Sequence, residues 1–453
     1  MDRAAVAIVG AGPAGIFAAL TLTEAGLGPV TLVEQGRSIE ERRRSRRPDI
    51  LTGWGGAGAF SDGKLTLSPE VGGFLPEMVP PERLAQVMAR ADEIWQAFGA
   101  PRQAHTGTPE EIEDLEIRAK LAGMTFVPSP VRHTGTETCR RLLADIYTHL
   151  SPCCQILTGT RASQIRVKGE RLIGLELEDG RLIETERVIC APGRVGNEWM
   201  RQQAQKLNLA WRSNPVDIGV RIEAPAPVLA CLTEVFYEPK LIYYTPTFDD
   251  RVRTFCMNPA GEVVIEKNHS LITVNGHSYA RRKTGNTNFA LLVSATFTEP
   301  FDDPIAYGRS IARLANLLGG GAIVQRLGDL QAGRRTTPDR LTRCLPRPTL
   351  TEATPGDLSY VLPYRILRDI IEMIEAMNRL APGLADRHTL LYGVEVKFYS
   401  NRIELNQDLE TAIPGLQVIG DGAGVTRGLL QASASGIIAA EAILADFQKT
   451  KPG

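Results

Sequence analysis

The chain has 453 residues, too many for one compact core, so it divides into two domains or into one domain interrupted by another. Its 51 basic and 52 acidic residues leave a formal charge of −1, which gives no global field for nucleic acid or an anionic membrane. Only 43% of residues are hydrophobic, with no long apolar run, and the seven cysteines are an odd number without CxxC spacing; a soluble protein of a reducing cytoplasm is expected, with no disulfide framework.

Residues 6–9 are a short apolar run of the kind a buried parallel strand gives, and residues 13–25 follow as an apolar helix. The turn between them reads Gly10-Ala11-Gly12-Pro13-Ala14-Gly15. Gly10 permits the tight turn, Gly12 lets backbone approach a pyrophosphate, and Gly15 lets the helix pack close on the sheet. Pro13 falls near the first helical position, where its missing N–H costs nothing, and the free N–H groups of that helix end then face an anion. A second strand over residues 30–33 ends in Glu34, 19 residues after Gly15, whose carboxylate suits both hydroxyls of an adenosine ribose. A signal peptide or membrane anchor is the competing reading of this apolar start. It fails, because the leading segment has one Arg and the run is broken by Gly and Pro and is too short to span a bilayer. At this point NAD and FAD both fit.

Gln35, Gly36 and Arg37 lead into Glu41-Arg42-Arg43-Arg44-Ser45-Arg46-Arg47, from which one or two arginines are expected to reach cofactor phosphates while the rest are solvated. One short basic run on a neutral chain argues against nucleic acid. The next stretch is Gly53-Trp54-Gly55-Gly56-Ala57-Gly58-Ala59-Phe60-Ser61-Asp62-Gly63-Lys64. Its glycines permit positive φ and close approach to a flat ligand, while Trp54 and Phe60 call for burial and speak against a flexible linker. It reads as a loop against the cofactor ring, with Lys64 as its first long cation.

Residues 81–98 carry apolar positions at helical spacing, and residues 138–150 form a further helix. Strands follow between residues 155 and 190, with a hairpin at Glu178-Asp179-Gly180-Arg181. Val188-Ile189-Cys190-Ala191-Pro192-Gly193 then repeats the strand-and-turn pattern and returns the chain to the nucleotide-binding sheet. The adjacent Cys153 and Cys154 are read as packing around the start of a strand. From residue 215 to 298 come short β-type runs at 217–222, 235–244, 253–257, 263–265 and 289–297, an antiparallel sheet in place of continued βαβ units. Residues 305–318 and 364–380 are helices, with Gly319-Gly320-Gly321 stopping the first, and 338–363 reads as an ordered loop. Near the end, residues 416–419 form a strand before Gly420-Asp421-Gly422, and Gly428 and Leu429 lie in a helix spanning about residues 427–447. An acid at that strand end takes a hydrogen bond from a ribityl or ribose hydroxyl. The helix behind it stabilises negative charge on the pyrimidine edge of an isoalloxazine, which turns the choice toward FAD.

These segments together resemble the two-dinucleotide-binding-domain flavoproteins of the glutathione-reductase structural class. More closely, the chain is similar to the bacterial and plastid family of FAD-dependent dehydrogenases, also called NAD(FAD)-utilizing dehydrogenases. Residues 53–65, 286–292, 303–318 with 328–335, 393–405 and 419–436 carry that likeness. The resemblance implies an α/β fold: a Rossmann-like FAD-binding domain interrupted by an α+β substrate domain with an antiparallel sheet. It implies non-covalent FAD held by Gly10, Gly12, Pro13, Ala14, Gly15, Glu34, Gln35, Arg37, Arg42, Gly55, Gly56, Ala57, Gly58, Ala191, Gly193, Gly420, Asp421, Gly422, Gly428 and Leu429. The expected boundaries are 1–75, 125–214 and 385–453 for the FAD domain, 76–124 for a helical insertion and 215–384 for the substrate domain. Longer relatives carry an additional amino-terminal domain, whose contacts are not carried over here.

A second GxGxxG with an acidic partner, as disulfide reductases of this class use for NADPH, is missing, and so is a CxxC; a disulfide-reductase mechanism does not follow. NAD(P)H as a transient donor stays open. The leading expectation is hydride exchange between a small-molecule substrate and flavin N5, with no metal and with Lys64, His133, Tyr364, Glu395 and Arg402 as candidate pocket residues. Each has an ordinary alternative: Lys64 pairing with Asp62, His133 capping a turn, Tyr364 packing, and Glu395, Lys397 and Arg402 lying on a solvated strand. The alternatives in function are reduction or desaturation of an isoprenoid or lipid-like substrate, which calls for a long apolar pocket, and a flavoprotein acting as redox sensor or tRNA-modification partner.

Overall fold

The computed structural model describes residues 2–44, 51–61, 63–212, 214–268, 271–278, 282–297, 301, 303–398 and 402–450. The chain forms two compact units, one of residues 1–104, 131–214 and 399–453, the other of residues 105–130 and 215–398.

The first unit is built on five parallel strands in the order Leu416–Val418, Val188–Cys190, Val6–Val9, Val30–Val33 and Cys154–Leu157. The first four are buried along their whole length, including the polar Thr31 and Gln417, as expected of central parallel strands. Helices Pro13–Glu24 and Leu429–Thr450 pack against each other over it, and Gly436 makes that approach close: a Cβ there would stand 2.1 Å from the Ala14 carbonyl oxygen. Residues 429–449 do reach the length and hydropathy of a membrane span, contrary to the expectation of no long apolar run, yet 67% of the stretch is buried inside the protein. A smaller sheet of Asp2–Arg3, Leu182–Glu184, Arg171–Leu177 and Ala162–Lys168 contains the expected hairpin at residues 178–181.

The second unit is an eight-stranded sheet, antiparallel except at one edge pair, in the order Thr354–Pro355, Ile323–Arg326, Leu390–Lys397, Val216–Pro225, Asn286–Ala295, Arg251–Asn258, Lys240–Tyr244 and Met124–Val127. Along Val216–Pro225, Ile218, Val220 and Ile222 enter the apolar core with Ile370, Met373 and Met377 of helix Tyr364–Leu380. The intervening Asp217, Arg221 and Glu223 point to the other face and are buried as well. The expected α/β fold with an antiparallel domain is therefore present, and its boundaries differ from those read in the sequence. Residues 76–124 are not one insertion: helix Pro81–Ala97 buries Leu84, Val87, Ala91 and Trp95 in the first core, and helix Pro109–Leu121 buries Leu115 and Ala119 in the second. Met124–Val127 and Leu390–Lys397 hydrogen-bond into the second sheet, so they leave the FAD domain to which the sequence reading gave residues from 125 and from 385. A strand expected at 235–244 begins only at Lys240, behind an apolar helix at Ala226–Thr233. The 338–363 segment is ordered and holds a helix at Pro338–Thr342 and a 3-10 turn at Leu358–Tyr360.

Candidate functional site

At the carboxyl end of the parallel sheet the expected glycines converge through close backbone approaches. A Cβ on Gly10 (φ 97°) would stand 2.1 Å from the Ala191 carbonyl oxygen, and one on Gly15 would stand 2.0 Å from the Gly10 carbonyl oxygen. Gly420 abuts Ala14, Gly422 abuts Pro192 and Gly193, Gly56 abuts Gly12, and Gly58 lies between Pro13 and Leu429. Four segments distant in sequence are thus brought to one turn. Gly12 is different: its φ of −79° suits any residue, and a Cβ there would meet nothing within 4 Å. The protein itself does not require glycine at that position. A ligand lying on the turn would require it, and the N-terminus of helix Pro13–Glu24, which no side chain caps, points the same way.

Glu34 is 6% exposed and its carboxylate is occupied by backbone: Oε2 accepts from Ala11 N at 2.8 Å, and Oε1 from Gly36 N at 2.8 Å and Gly53 N at 2.9 Å. It ties the glycine turn, the strand tip and the glycine-rich loop into one piece. Arg42 is buried and turns inward, its Nη1 donating to the carbonyls of Trp54 (2.6 Å) and Gly56 (3.0 Å). Arg37 is exposed, and Arg44 pairs loosely with Glu40 at 3.8 Å; Ser45, Arg46 and Arg47 lie outside the described residues. Trp54 is fully buried, donates from Nε1 to the Leu143 carbonyl at 2.7 Å, and meets Tyr147 edge-on at 5.0 Å. The loop of residues 53–60 is accordingly an anchored turn, with 3-10 geometry over Gly56–Phe60.

Asp421 is half-buried, with Oδ1 accepting from Thr426 Oγ1 at 2.8 Å and Arg194 Nε 3.8 Å from Oδ2. Burial pushes its carboxyl above the usual range against the pull of Arg194 and Thr426. Gly420 N donates to the buried Ser435 Oγ at 3.2 Å, which fixes the turn on the last helix. Sequence reasoning missed Ser435 and Gly436, although the small-residue run Ala432 to Gly436 signals a helix that must approach another closely.

The candidate pocket residues are divided between the two units: Lys64, His133 and Arg402 belong to the first, Tyr364 and Glu395 to the second. Lys64 and His133 pair across the short strands Lys64–Thr66 and Val131–His133, both half-buried; Asp62 lies outside the described residues. Arg402 donates to Glu77 Oε2 at 2.6 Å and stacks on Phe74 at 4.9 Å, with Arg427 on the same ring at 4.4 Å. Tyr364 is 74% exposed and meets Phe248. Glu395 belongs to no solvated strand: it is fully buried and takes Arg221 Nε at 2.7 Å, Arg221 Nη2 at 3.0 Å and Lys397 Nζ at 3.1 Å. Burial alone would raise its carboxyl, and the charges of Arg221 and Lys397 instead bring it below the usual range. Cys154 is buried, which pushes its thiol up to about 12, while Cys153 is exposed; all seven cysteines are free. Among the described residues no group of three or more His, Cys, Asp or Glu side chains could hold a metal.

Residues 5–41 match the family model described as FAD binding domain, and residues 215–398 match that described as FAD-dependent protein, C-terminal domain-like. A protein of Clostridium beijerinckii carrying only the name "Uncharacterized protein" is 28% identical over 481 residues, covering 99% of this chain and 82% of that one. Among solved structures, L-proline dehydrogenase from P. horikoshii is similar over 98% of this chain and 94% of its own, at 12% identity and a TM-score of 0.42. Glycine oxidase from Geobacillus kaustophilus is similar over 98% and 95%, at 14% identity and a TM-score of 0.39. Likenesses that distant carry no argument about substrate. Both matched models describe FAD-binding or FAD-dependent proteins, so FAD is the cofactor that residues 5–41 and 215–398 point to.

Proposed function

We propose that this FAD-dependent protein exchanges a hydride between a polar small-molecule substrate and N5 of a non-covalently held flavin. The observation that carries the reading is Gly12, a glycine that no protein contact explains, at the uncapped helix end where the four segments meet. In this reading Gly10, Gly12, Pro13, Ala14 and Gly15 give the pyrophosphate cradle, and Asp421, tied to Thr426, takes a ribityl hydroxyl. Glu34 accepts the ribose hydroxyls only in addition to, or in exchange for, the backbone N–H groups it already holds. FAD supplies the two-electron chemistry, and these residues orient it and set its charge environment.

Lys64 is our candidate for the cation near the isoalloxazine, where an ammonium in a partly desolvated site favours the reduced, anionic form. The substrate is taken as polar because the isoprenoid alternative needs an apolar lining. The sheet face of the second unit opposite Ile218, Val220 and Ile222 carries Asp217, Arg221, Glu223 and Glu395 beside a small apolar cluster with Val324 and Tyr392. NAD(P)H as transient donor and a cytoplasmic location belong to the same proposal.

Anaerobic addition of NADH, NADPH and a panel of polar metabolites to the purified yellow protein tests it. Bleaching of the flavin by at least one of them, and its return on admitting oxygen or an acceptor, is the expected result; a flavin reduced by dithionite and by nothing else contradicts hydride exchange. In the same preparation Lys64→Met lowers the flavin midpoint potential at full FAD occupancy. An unchanged midpoint removes Lys64 from the flavin.

A further inference from the structure

Between residues 326 and 347 the chain carries six arginines, two aspartates and no other charged residue, while its total charge is −1. The short helix Leu327–Gln331 turns the backbone so that Asp329 comes back beneath Arg326, and Gly333 (φ 63°) sends it out again into Arg334. Asp329 is fully buried and its acceptor sites are filled. Oδ2 accepts from Arg326 Nε at 2.8 Å and Thr336 Oγ1 at 2.9 Å; Oδ1 accepts from Arg326 Nη2 at 3.1 Å and Arg334 Nε at 3.0 Å, with Arg340 Nη1 3.9 Å away. Burial pushes the carboxyl up, and the bonds from Arg326, Thr336 and Arg334 outweigh it and hold it at about 2, so it stays ionised.

One carboxylate therefore faces three guanidinium groups. Two further donors of the cluster go to backbone: Arg340 Nη1 to the Arg335 carbonyl at 2.8 Å and Arg343 Nε to the Asp339 carbonyl at 3.2 Å. Such bonds fix side chains in place without cancelling their charge. Arg335, Arg343 and Arg347 are exposed, as in any solvated basic run, and the other three differ in degree. Here Arg326 is buried and the side chain of Arg340 is only 28% exposed, while Arg334, at 48%, presents part of its fork to solvent.

We propose that Arg334, bonded to Asp329, and Arg340, 3.9 Å from the same carboxylate oxygen, form an anion site on the second unit that takes the phosphoryl group of a small phosphate-bearing ligand. A phosphoryl group offers several strong acceptor oxygens, and a preorganised guanidinium fork meets two of them at once. The group comes either from free phosphate or from a phosphorylated small molecule, of which a nicotinamide dinucleotide with a 2′-phosphate is the case most relevant to an oxidoreductase. The site does not depend on the hydride reading, because it is assayed by binding alone.

Isothermal titration of the FAD-loaded protein with inorganic phosphate, at constant ionic strength and with chloride as control, tests it. Saturable one-site binding is expected, weakened roughly tenfold or more in Arg334→Gln and in Arg340→Gln, the loss of about one charge-assisted pair. Arg340→Lys, which keeps the charge and loses the fork, falls between; FAD content stays at the wild-type value throughout, while Arg334→Gln, which removes a bond to the buried Asp329 carboxylate, lowers the melting temperature and Arg340→Lys does not. Competition with NADPH and NADH identifies the source. Displacement of phosphate by NADPH alone assigns the 2′-phosphate, displacement by both assigns a pyrophosphate, and displacement by neither assigns free phosphate. Absence of saturable phosphate binding, an equal response to chloride, or unchanged affinity in both Gln variants overturns the proposal.

Discussion

Glu34 does more than its position at a strand tip suggests. An acid 19 residues after Gly15 is readable in the sequence, but the N–H of Gly53 that it accepts comes from a loop whose path only the tertiary structure gives. A side chain that satisfies three backbone donors is part of the fold, so its replacement is expected to cost stability. Glu34→Gln keeps the shape and sets an amide N–H group against backbone N–H. The apoprotein should lose about 1–3 kcal/mol of stability, and FAD affinity should fall with it. A thermal melt of the apoprotein that matches wild type would show the three bonds to be dispensable. The same limit on legibility applies to Glu395, whose alternative reading on a solvated strand stands until its partner Arg221, in another strand, is known.

At the scale of elements, helix Tyr364–Leu380 carries a titrating contact with the loop of residues 245–250. Thr245 Oγ1 donates to Asp369 Oδ1 at 2.7 Å, Thr247 Oγ1 donates to Glu372, Arg368 pairs with Glu372 at 2.7 Å, and Arg365 pairs with Asp250. Burial raises the carboxyl of Asp369 from 3.8 to about 6, with Asp250 adding to the rise while Thr245 and Arg365 oppose it; Asp250 itself is lowered, chiefly by its hydrogen bond from Arg365. A folded-state value above the unfolded one gives stability that is complete below the unfolded value and is lost as pH rises through the folded value. This unit should therefore weaken between about pH 4 and pH 6, by about 3 kcal/mol, whereas the contribution of Asp250 is lost only at lower pH. Asp369→Asn should flatten that window in a series of denaturant melts, and an unchanged pH profile would count against Asp369 as the group that titrates there. The helix itself was readable to its last residue, because its apolar period is strong. Pro109–Leu121 went unread although Thr108 and Glu111 form a capping box ahead of it, a signal plainly present in the sequence. Ala226–Thr233 gave less to read, being short and apolar on nearly every side.

For the whole molecule, the strands and turns at residues 6–15, 188–193 and 416–422 were enough to indicate a discontinuous parallel-sheet domain, since each combines a buried apolar run with a glycine turn. The division of residues 76–130 was not legible. An amphipathic stripe tells that a helix is buried on one side and is silent about which core buries it, so two helices that serve different units read alike. The central claim for the molecule is that FAD rests on the turn at Gly12, and Gly12→Ala separates fold from cofactor there. The backbone conformation suits alanine and its Cβ would meet no protein atom within 4 Å. FAD released by heat should fall far below one per chain in this variant while the apoprotein melts at the wild-type temperature. A full complement of FAD in Gly12→Ala would contradict the account.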